Sequence, residues 1–218
     1  MKKLIRNKEL RRKILQTSFE AGACHIASAL SCINILISIF NKMKKGDIFL
    51  YGKVSGVCAF YVLLAEKGII PEHKIVYYLK KYPLPHKSIP GVVHGIGSLG
   101  HGLPVAVGLA LADRTRNVWL LMSDGEIQEG TTWESILFAG HHKLRNLKVF
   151  VDRNGFQALG KTEEIVKIEK GLSLLKKLFP IKVVKTIKGE GVDFMTGDYS
   201  WHYRNLTAEL LEKALCQI

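Results

Sequence analysis

From residue 8 to 21, apolar side chains recur at Leu10, Ile14, Leu15 and Phe19, a stripe at helical spacing that predicts a helix stopped at Gly22. Ser28 to Met43 is apolar on most sides and predicts a second, buried helix. Asp47 to Tyr51 reads as a short strand, and Ala59 to Lys67 as a helix closing at Gly68. Glu72 to Lys81 is an amphipathic helix halted by Pro83 and Pro85. The character then changes. Gly91 to Gly102 is a glycine-rich loop holding His94 and His101, and Pro104 sits where a helix begins. That helix, Val105 to Arg114, is rich in Ala and Gly, which suits close packing against a sheet. Val118 to Met122, Leu147 to Val151 and Ile181 to Ile187 are apolar runs, as in buried parallel strands. Thr131 to Lys143 and Thr207 to Cys216 read as helices. Helices alternating with short apolar strands predict an α/β fold: a central, mostly parallel sheet with helices on both faces. With no repeat and no long linker, residues 1–218 read as a single domain.

Composition narrows this picture. An apolar fraction of 47% fits a globular core. The longest apolar stretch, around Ile33 to Phe40, is too short to span a bilayer, and Met1-Lys2-Lys3-Leu4 has no apolar region behind it, so neither a membrane span nor a signal peptide is expected. Cys24, Cys32, Cys58 and Cys216 form no CxxC pair and read as reduced thiols of a cytoplasmic protein. The net charge of +13 suits phosphorylated ligands or an acidic partner surface. The lysines come in scattered pairs such as Lys44-Lys45, Lys80-Lys81 and Lys176-Lys177, so no nucleic-acid tail is read from them.

Two strand ends carry candidate chemistry. Val118 to Met122 runs into Ser123-Asp124-Gly125-Glu126, and Leu147 to Val151 into Asp152-Arg153-Asn154-Gly155-Phe156. Ligands of parallel α/β sheets bind beyond the carboxyl ends of strands. One helix links these two strands, which makes them neighbours and points Asp124 and Asn154 into one crevice. A carboxylate, an amide oxygen and a nearby backbone carbonyl suit a hard cation that shares its shell with phosphates. Gly125 lets the backbone approach a phosphate oxygen. Read alone, Asp-Gly and Asn-Gly are equally common turn dipeptides.

The thirty-residue interval (154 − 124 = 30) and its flanks are more specific. Asp-Gly followed by Asn at that distance is similar to the thiamine-diphosphate motif, with Ser123 in place of its first glycine. Gly97-Ser98-Leu99-Gly100-His101-Gly102-Leu103, the stretch Asp124 to Gly130, Trp133-Glu134, Gly160 to Glu164, Leu64 to Gly68, Lys188 to Val192, Phe194-Met195 and Trp201-His202 all resemble the amino-terminal part of transketolases. The resemblance covers nearly the whole chain. It implies that Asp124, Asn154 and the carbonyl of Phe156 hold a divalent metal, Mg2+ or Ca2+. It implies that Gly125, Glu126, Asn154 and His202 belong to the cofactor site, and that Gly97 and Leu99 lie against the rings of thiamine diphosphate. His25 and His202 would face the reacting carbons, and Glu129 would contact the partner's catalytic glutamate.

The chain also departs from that pattern. A family histidine in a Ser-Lys-Gly-His-Ala stretch falls on Ser55 within Gly52-Lys53-Val54-Ser55-Gly56. The loop around His25 is altered, His86 is the nearest candidate for a third histidine, His101 stands where glutamine is usual, and the segment between Glu164 and Ile181 looks shortened. In transketolases the glutamate that drives the cofactor lies in a second, pyrimidine-binding domain, which these 218 residues do not contain. The resemblance therefore implies one subunit of a split transketolase. A separate pyrimidine-binding subunit would supply the glutamate, in a two-plus-two heterotetramer acting on sugars or sugar phosphates. The alternatives are a non-catalytic assembly subunit, which the Ser55 substitution keeps open, and the α subunit of a 2-oxo acid dehydrogenase, against which Gly97 to Leu103 and Trp201-His202 argue.

Overall fold

The apolar runs read as strands form one sheet: β1 (Ile48–Tyr51), β2 (Val118–Ser123), β3 (Leu147–Arg153) and β4 (Ile181–Lys185) lie side by side in that order. This computed structural model describes residues 2–218, with side chains from Asn7 onward. Every neighbouring pair of strands is parallel, with Tyr51 beside Leu121, Ser123 beside Asp152 and Asp152 beside Val184.

Alternate residues of each strand face two separate apolar layers. Phe49, Tyr51, Trp119, Leu121 and Phe150 pack on one side against α1 (Lys2–Ala21), α2 (Ile26–Phe40), α3 (Val57–Glu66) and α4 (Ile75–Lys81). Leu50, Leu120, Met122, Val149 and Val151 pack on the other against α5 (Gly102–Ala112), α6 (Gly130–His141) and, after the single turn α7 (Thr162–Ile165), α8 (Glu169–Leu178). The last helix, α9 (Ala208–Gln217), starts on Thr207, whose hydroxyl accepts from the Leu210 N–H, and returns to α1. Helices thus cover both faces of an all-parallel sheet.

The element boundaries shift where local chemistry overrides periodicity. The second helix begins at Ile26 and ends at Phe40, because Lys42 and Met43 both turn back to the Ile39 carbonyl. Glu72 to Lys81 divides into a 3-10 turn, Glu72–Lys74, and α4, a common arrangement at a helix start. In the segment that looks shortened, α8 buries Leu172 and Leu175, with Lys176 and Lys177 in its last turn. β4 ends at Lys185.

Candidate active site

Three strand ends deliver the polar groups of one cavity of about 320 Å3. Lys53 follows β1, Asp124 follows β2 and Asn154 follows β3. The parallel register brings the last two together: the Asp124 N–H donates to the Asp152 carbonyl at 3.2 Å, and the Gly155 N–H donates to Asp124 Oδ2 at 2.7 Å. Asp124 Oδ1 is buried and has no hydrogen-bond partner. Burial, with a further push from Asp152, holds this carboxyl above the ordinary range although Gly155 bonds it. A buried carboxylate oxygen left without a donor is the position a cation fills. Among the described residues no three His, Cys, Asp or Glu side chains group as metal ligands. Oxygens of Asp124, Asn154 and backbone carbonyls suit Mg2+ or Ca2+, so the donor set fits the metal.

Asn154 is held by a buried network that the sequence pattern does not reveal. Asp152 is fully buried and accepts from Lys53 Nζ at 2.5 Å, from Ser31 Oγ at 2.6 Å and from the Thr186 hydroxyl. Lys53 Nζ also donates to the Ser28 carbonyl at 2.7 Å and to Ser31 Oγ at 3.0 Å. Burial alone would lower the Lys53 pKa, but Asp152 reverses it and holds the ammonium firmly charged. Asn154 Nδ2 donates to Asp152 Oδ2 and Ser31 Oγ, both at 3.3 Å, while its Oδ1 accepts from the Phe156 N–H at 3.0 Å. The amide is thereby oriented, nitrogen toward the network and oxygen toward the Asp124 side.

Gly125, Phe156, Gly97, Leu99, Glu129, His25 and His202 all line the same cavity. At Gly125 a Cβ would come within 3.1 Å of Gln157 Nε2, so glycine keeps that wall open. Gly100 has φ +78°, and a Cβ there would meet Glu129 Cβ at 2.7 Å, which fixes the glycine loop close to Glu129. Glu126 is not on the cavity wall. Its buried carboxylate accepts from the Ser123 N–H at 2.6 Å, Ser123 Oγ at 2.9 Å and the Gly100 N–H at 3.3 Å. It ties the glycine loop to the end of β2, and Ser123, which replaces the motif's glycine, supplies the tie's second donor. Burial raises the Glu126 pKa to about 7 against these hydrogen bonds.

His25 and His202 meet edge to face with ring centroids 4.6 Å apart. The His25 N–H donates to the His202 carbonyl at 3.1 Å, and His25 begins α2 in the left-handed region, φ 64°. Lys188, another buried lysine, lies 3.3 Å from His202 Nδ1 and donates to the Gln157 carbonyl at 3.0 Å. Burial lowers the His25 pKa to about 4 and the His202 pKa to about 3; repulsion from Lys188 follows in both cases. Burial, then Lys53, lowers Lys188 to about 8. At neutral pH both imidazoles are neutral beside two ammonium groups, so the cavity is electropositive. The charged Lys188 makes His202 Nδ1 an acceptor and leaves the ring proton on Nε2.

Ser55 lines the cavity where the resemblance calls for histidine. Its N–H closes a three-residue turn on the Lys53 carbonyl at 2.7 Å, which puts the intervening Val54 at φ 64°, a rare conformation for a β-branched residue. His94 and His101 line a different cavity of about 310 Å3, and His86 stacks on Tyr82 at 4.2 Å outside the site. Lys53, Lys188 and Asp152 are visible in the sequence only as charged residues at strand ends and beside glycines.

The family model described as "Transketolase, thiamine diphosphate binding domain" matches residues 84–172. One of the two subunits named for apulose-4-phosphate transketolase in Actinobacillus succinogenes is 32% identical over 95% of this chain and 92% of its own length. The subunit of the same name from Phocaeicola vulgatus is 28% identical over 98% of this chain and 92% of its own. Among solved structures, transketolase from Campylobacter jejuni superposes with a TM-score of 0.82 at 22% identity, covering 95% of this chain and 41% of that one, a likeness of fold.

Proposed function

The chain belongs to the transketolase family, thiamine-diphosphate enzymes of ketol transfer, and we propose that it is the diphosphate-binding subunit of a split transketolase acting on sugar phosphates. The observation that carries this reading is the orphaned Asp124 Oδ1 beside the oriented amide of Asn154, at adjacent strand ends. In this reading Asp124, Asn154 and the Phe156 carbonyl hold Mg2+ or Ca2+, and the Gly125 N–H takes a diphosphate oxygen. Gly97 and Leu99 flank the cofactor rings, and Glu126 serves the site indirectly by holding the glycine loop. Residues 1–218 act as one domain. Both relatives are named as transketolase subunits, which supports a separate partner chain; a pyrimidine-binding subunit in a two-plus-two heterotetramer would bring the catalytic glutamate to Glu129.

Bound, thiamine diphosphate supplies the nucleophilic carbon that adds to a ketose carbonyl. The chain's own residues bind and handle protons. Lys53 and Lys188 give the cavity the positive charge that a diphosphate needs, and they are also groups that hold His25 and His202 neutral. An anion placed beside them relieves that repulsion, so the imidazoles become better proton acceptors when the site is filled. Neutral His202, with its proton on Nε2, can donate to a substrate oxygen and later take a proton.

Calorimetry tests the reading. Thiamine diphosphate with Mg2+ binds the wild-type chain, in the presence of the partner subunit if the chain alone is too weak, and Asp124→Asn lowers that affinity at least tenfold. In parallel, imidazole NMR shows the His25 and His202 pKa values rising when cofactor is added. Wild-type protein that binds no cofactor even with its partner refutes the assignment.

A further inference from the structure

The sheet has two edges, and they differ. Phe49, Leu50 and Tyr51 of β1 are buried, whereas every residue of β4 is at least partly exposed. Among the described residues β4 pairs with β3 alone, so one side of its backbone has no strand beside it. Against this edge, at the amino-terminal ends of β3 and β4, lies a cavity of about 820 Å3 with Trp119, Phe150 and Phe179 among its walls. A second cavity of about 440 Å3 shares Phe150 and Lys182 with it and continues along β4 past Lys185 to Ile187. The two form one groove along the open strand, at the opposite end of β3 from Asn154.

The charge of the groove is one-sided. Lys42, Lys143, Arg145, Lys148, Lys176 and Lys182 line the larger cavity, and no carboxylate does. Among the described residues none of these six cations makes an ion pair; Lys182 lies over the Phe150 ring at 5.4 Å instead. Glu190, the carboxylate of the smaller cavity, is paired with Arg11 at 2.9 Å. Neither the cofactor site nor the sheet's own stability requires this concentration of charge.

We propose that this groove takes up an extended acidic segment of a partner protein, which adds beside β4 as a further strand. The open edge selects an extended backbone, because the unpaired N–H and C=O groups of a strand bind another strand. The lysines select carboxylates. The part-exposed Ile181, Val183, Val184 and the exposed Ile187 select apolar residues between them. Five residues of β4 span roughly 17 Å, which matches a segment of five or six residues. Single-stranded nucleic acid is disfavoured, since bases stack on exposed aromatic faces and Trp119 and Phe150 are buried.

The test is titration of the full, 15N-labelled chain with a capped six-residue peptide of alternating Glu and Val. The amides of residues 181–187 shift on binding, the affinity falls at least tenfold in the exposed-residue variant Lys148→Glu/Lys182→Glu, and salt weakens it. Cofactor binding plays no part in this readout, so its failure is distinct from failure of the catalytic assignment. The proposal is overturned if those amides do not move, or if a Lys–Val peptide of the same length binds equally well. It is overturned too if an oligothymidylate or phosphatidylserine vesicles engage the same amides more tightly than the peptide. Self-association of Lys182→Val/Lys185→Val without any binding of peptide to the wild type would show that the lysines only guard the edge, and would also overturn it.

Discussion

At the scale of single residues, the site depends on a charge pair that substrate is not expected to touch. Lys53 and Asp152 are both buried, 2.5 Å apart, and each is the other's main compensation. Removing one partner strands the other charge in the interior, which costs about 3–5 kcal/mol, whereas removing both costs much less. Asp152→Asn and Lys53→Met are each expected to destabilise the chain by that amount in urea unfolding, and the double variant is expected to recover most of the loss. Equal and additive losses would show that the pair is not coupled. Because Asp152 also orients Asn154, Asp152→Asn lowers metal affinity by roughly 10–100-fold, read by calorimetry on the folded fraction. Val54 offers the opposite case. A left-handed valine stores strain of order 1–3 kcal/mol, and glycine gives part of that back through backbone entropy. Val54→Gly therefore raises stability by about 1 kcal/mol; a loss would show that the valine side chain matters more than its conformation.

At the scale of elements, Glu126 couples the glycine loop to β2, and its protonation makes that coupling pH-dependent. Its folded pKa, about 7, lies above the ordinary glutamate value of 4.5. The folded state therefore holds the proton more tightly, so this contribution to stability is complete below about 4.5 and is lost as pH rises through 7. His25 and His202 act in the other direction. Their folded values, about 4 and about 3, lie below 6.5, so acidification below 6.5 favours the unfolded chain. The two trends oppose each other between 4.5 and 6.5 and partly cancel. Glu126→Gln removes the first alone, and the midpoint of thermal unfolding then falls more steeply on acidification than in wild type. An unchanged slope would place the Glu126 proton elsewhere. The legibility of these elements in the sequence follows from range. Strands buried on both faces appear as unbroken apolar runs, so β2, β3 and the crevice between Asp124 and Asn154 are directly readable. The helix α8 is short and strongly charged, and its inward face rests on only a few leucines, so its pattern is too weak to read. Buried Lys53 is illegible too, because nothing nearby in the chain marks it as buried. Its partner is 99 residues away, and Lys188 reaches Gln157 across 31.

At the scale of the whole molecule, the cofactor cavity opens through an apolar rim. Leu159 is 82% exposed and Tyr203 64%, and both line the cavity beside Leu99 and Glu129. Large apolar groups at the mouth of a polar site lower the free energy of any assembly that covers them, by about 25 cal/mol per Å2 of apolar surface removed from water. In the proposed split enzyme that cover is the pyrimidine-binding subunit, and the same contact brings its glutamate toward Glu129. A charge at the rim opposes it. Leu159→Glu is expected to weaken association with the partner at least tenfold in sedimentation velocity, with the circular dichroism spectrum of the chain unchanged. Leu174→Glu serves as a matched control: it alters a half-exposed leucine on α8, which takes no part in lining the cavity, and leaves association as in wild type. If Leu174→Glu disrupts assembly and Leu159→Glu does not, the partner docks on the α8 side and the cavity mouth is not the contact. The active site would then have to be completed by something other than the docked chain.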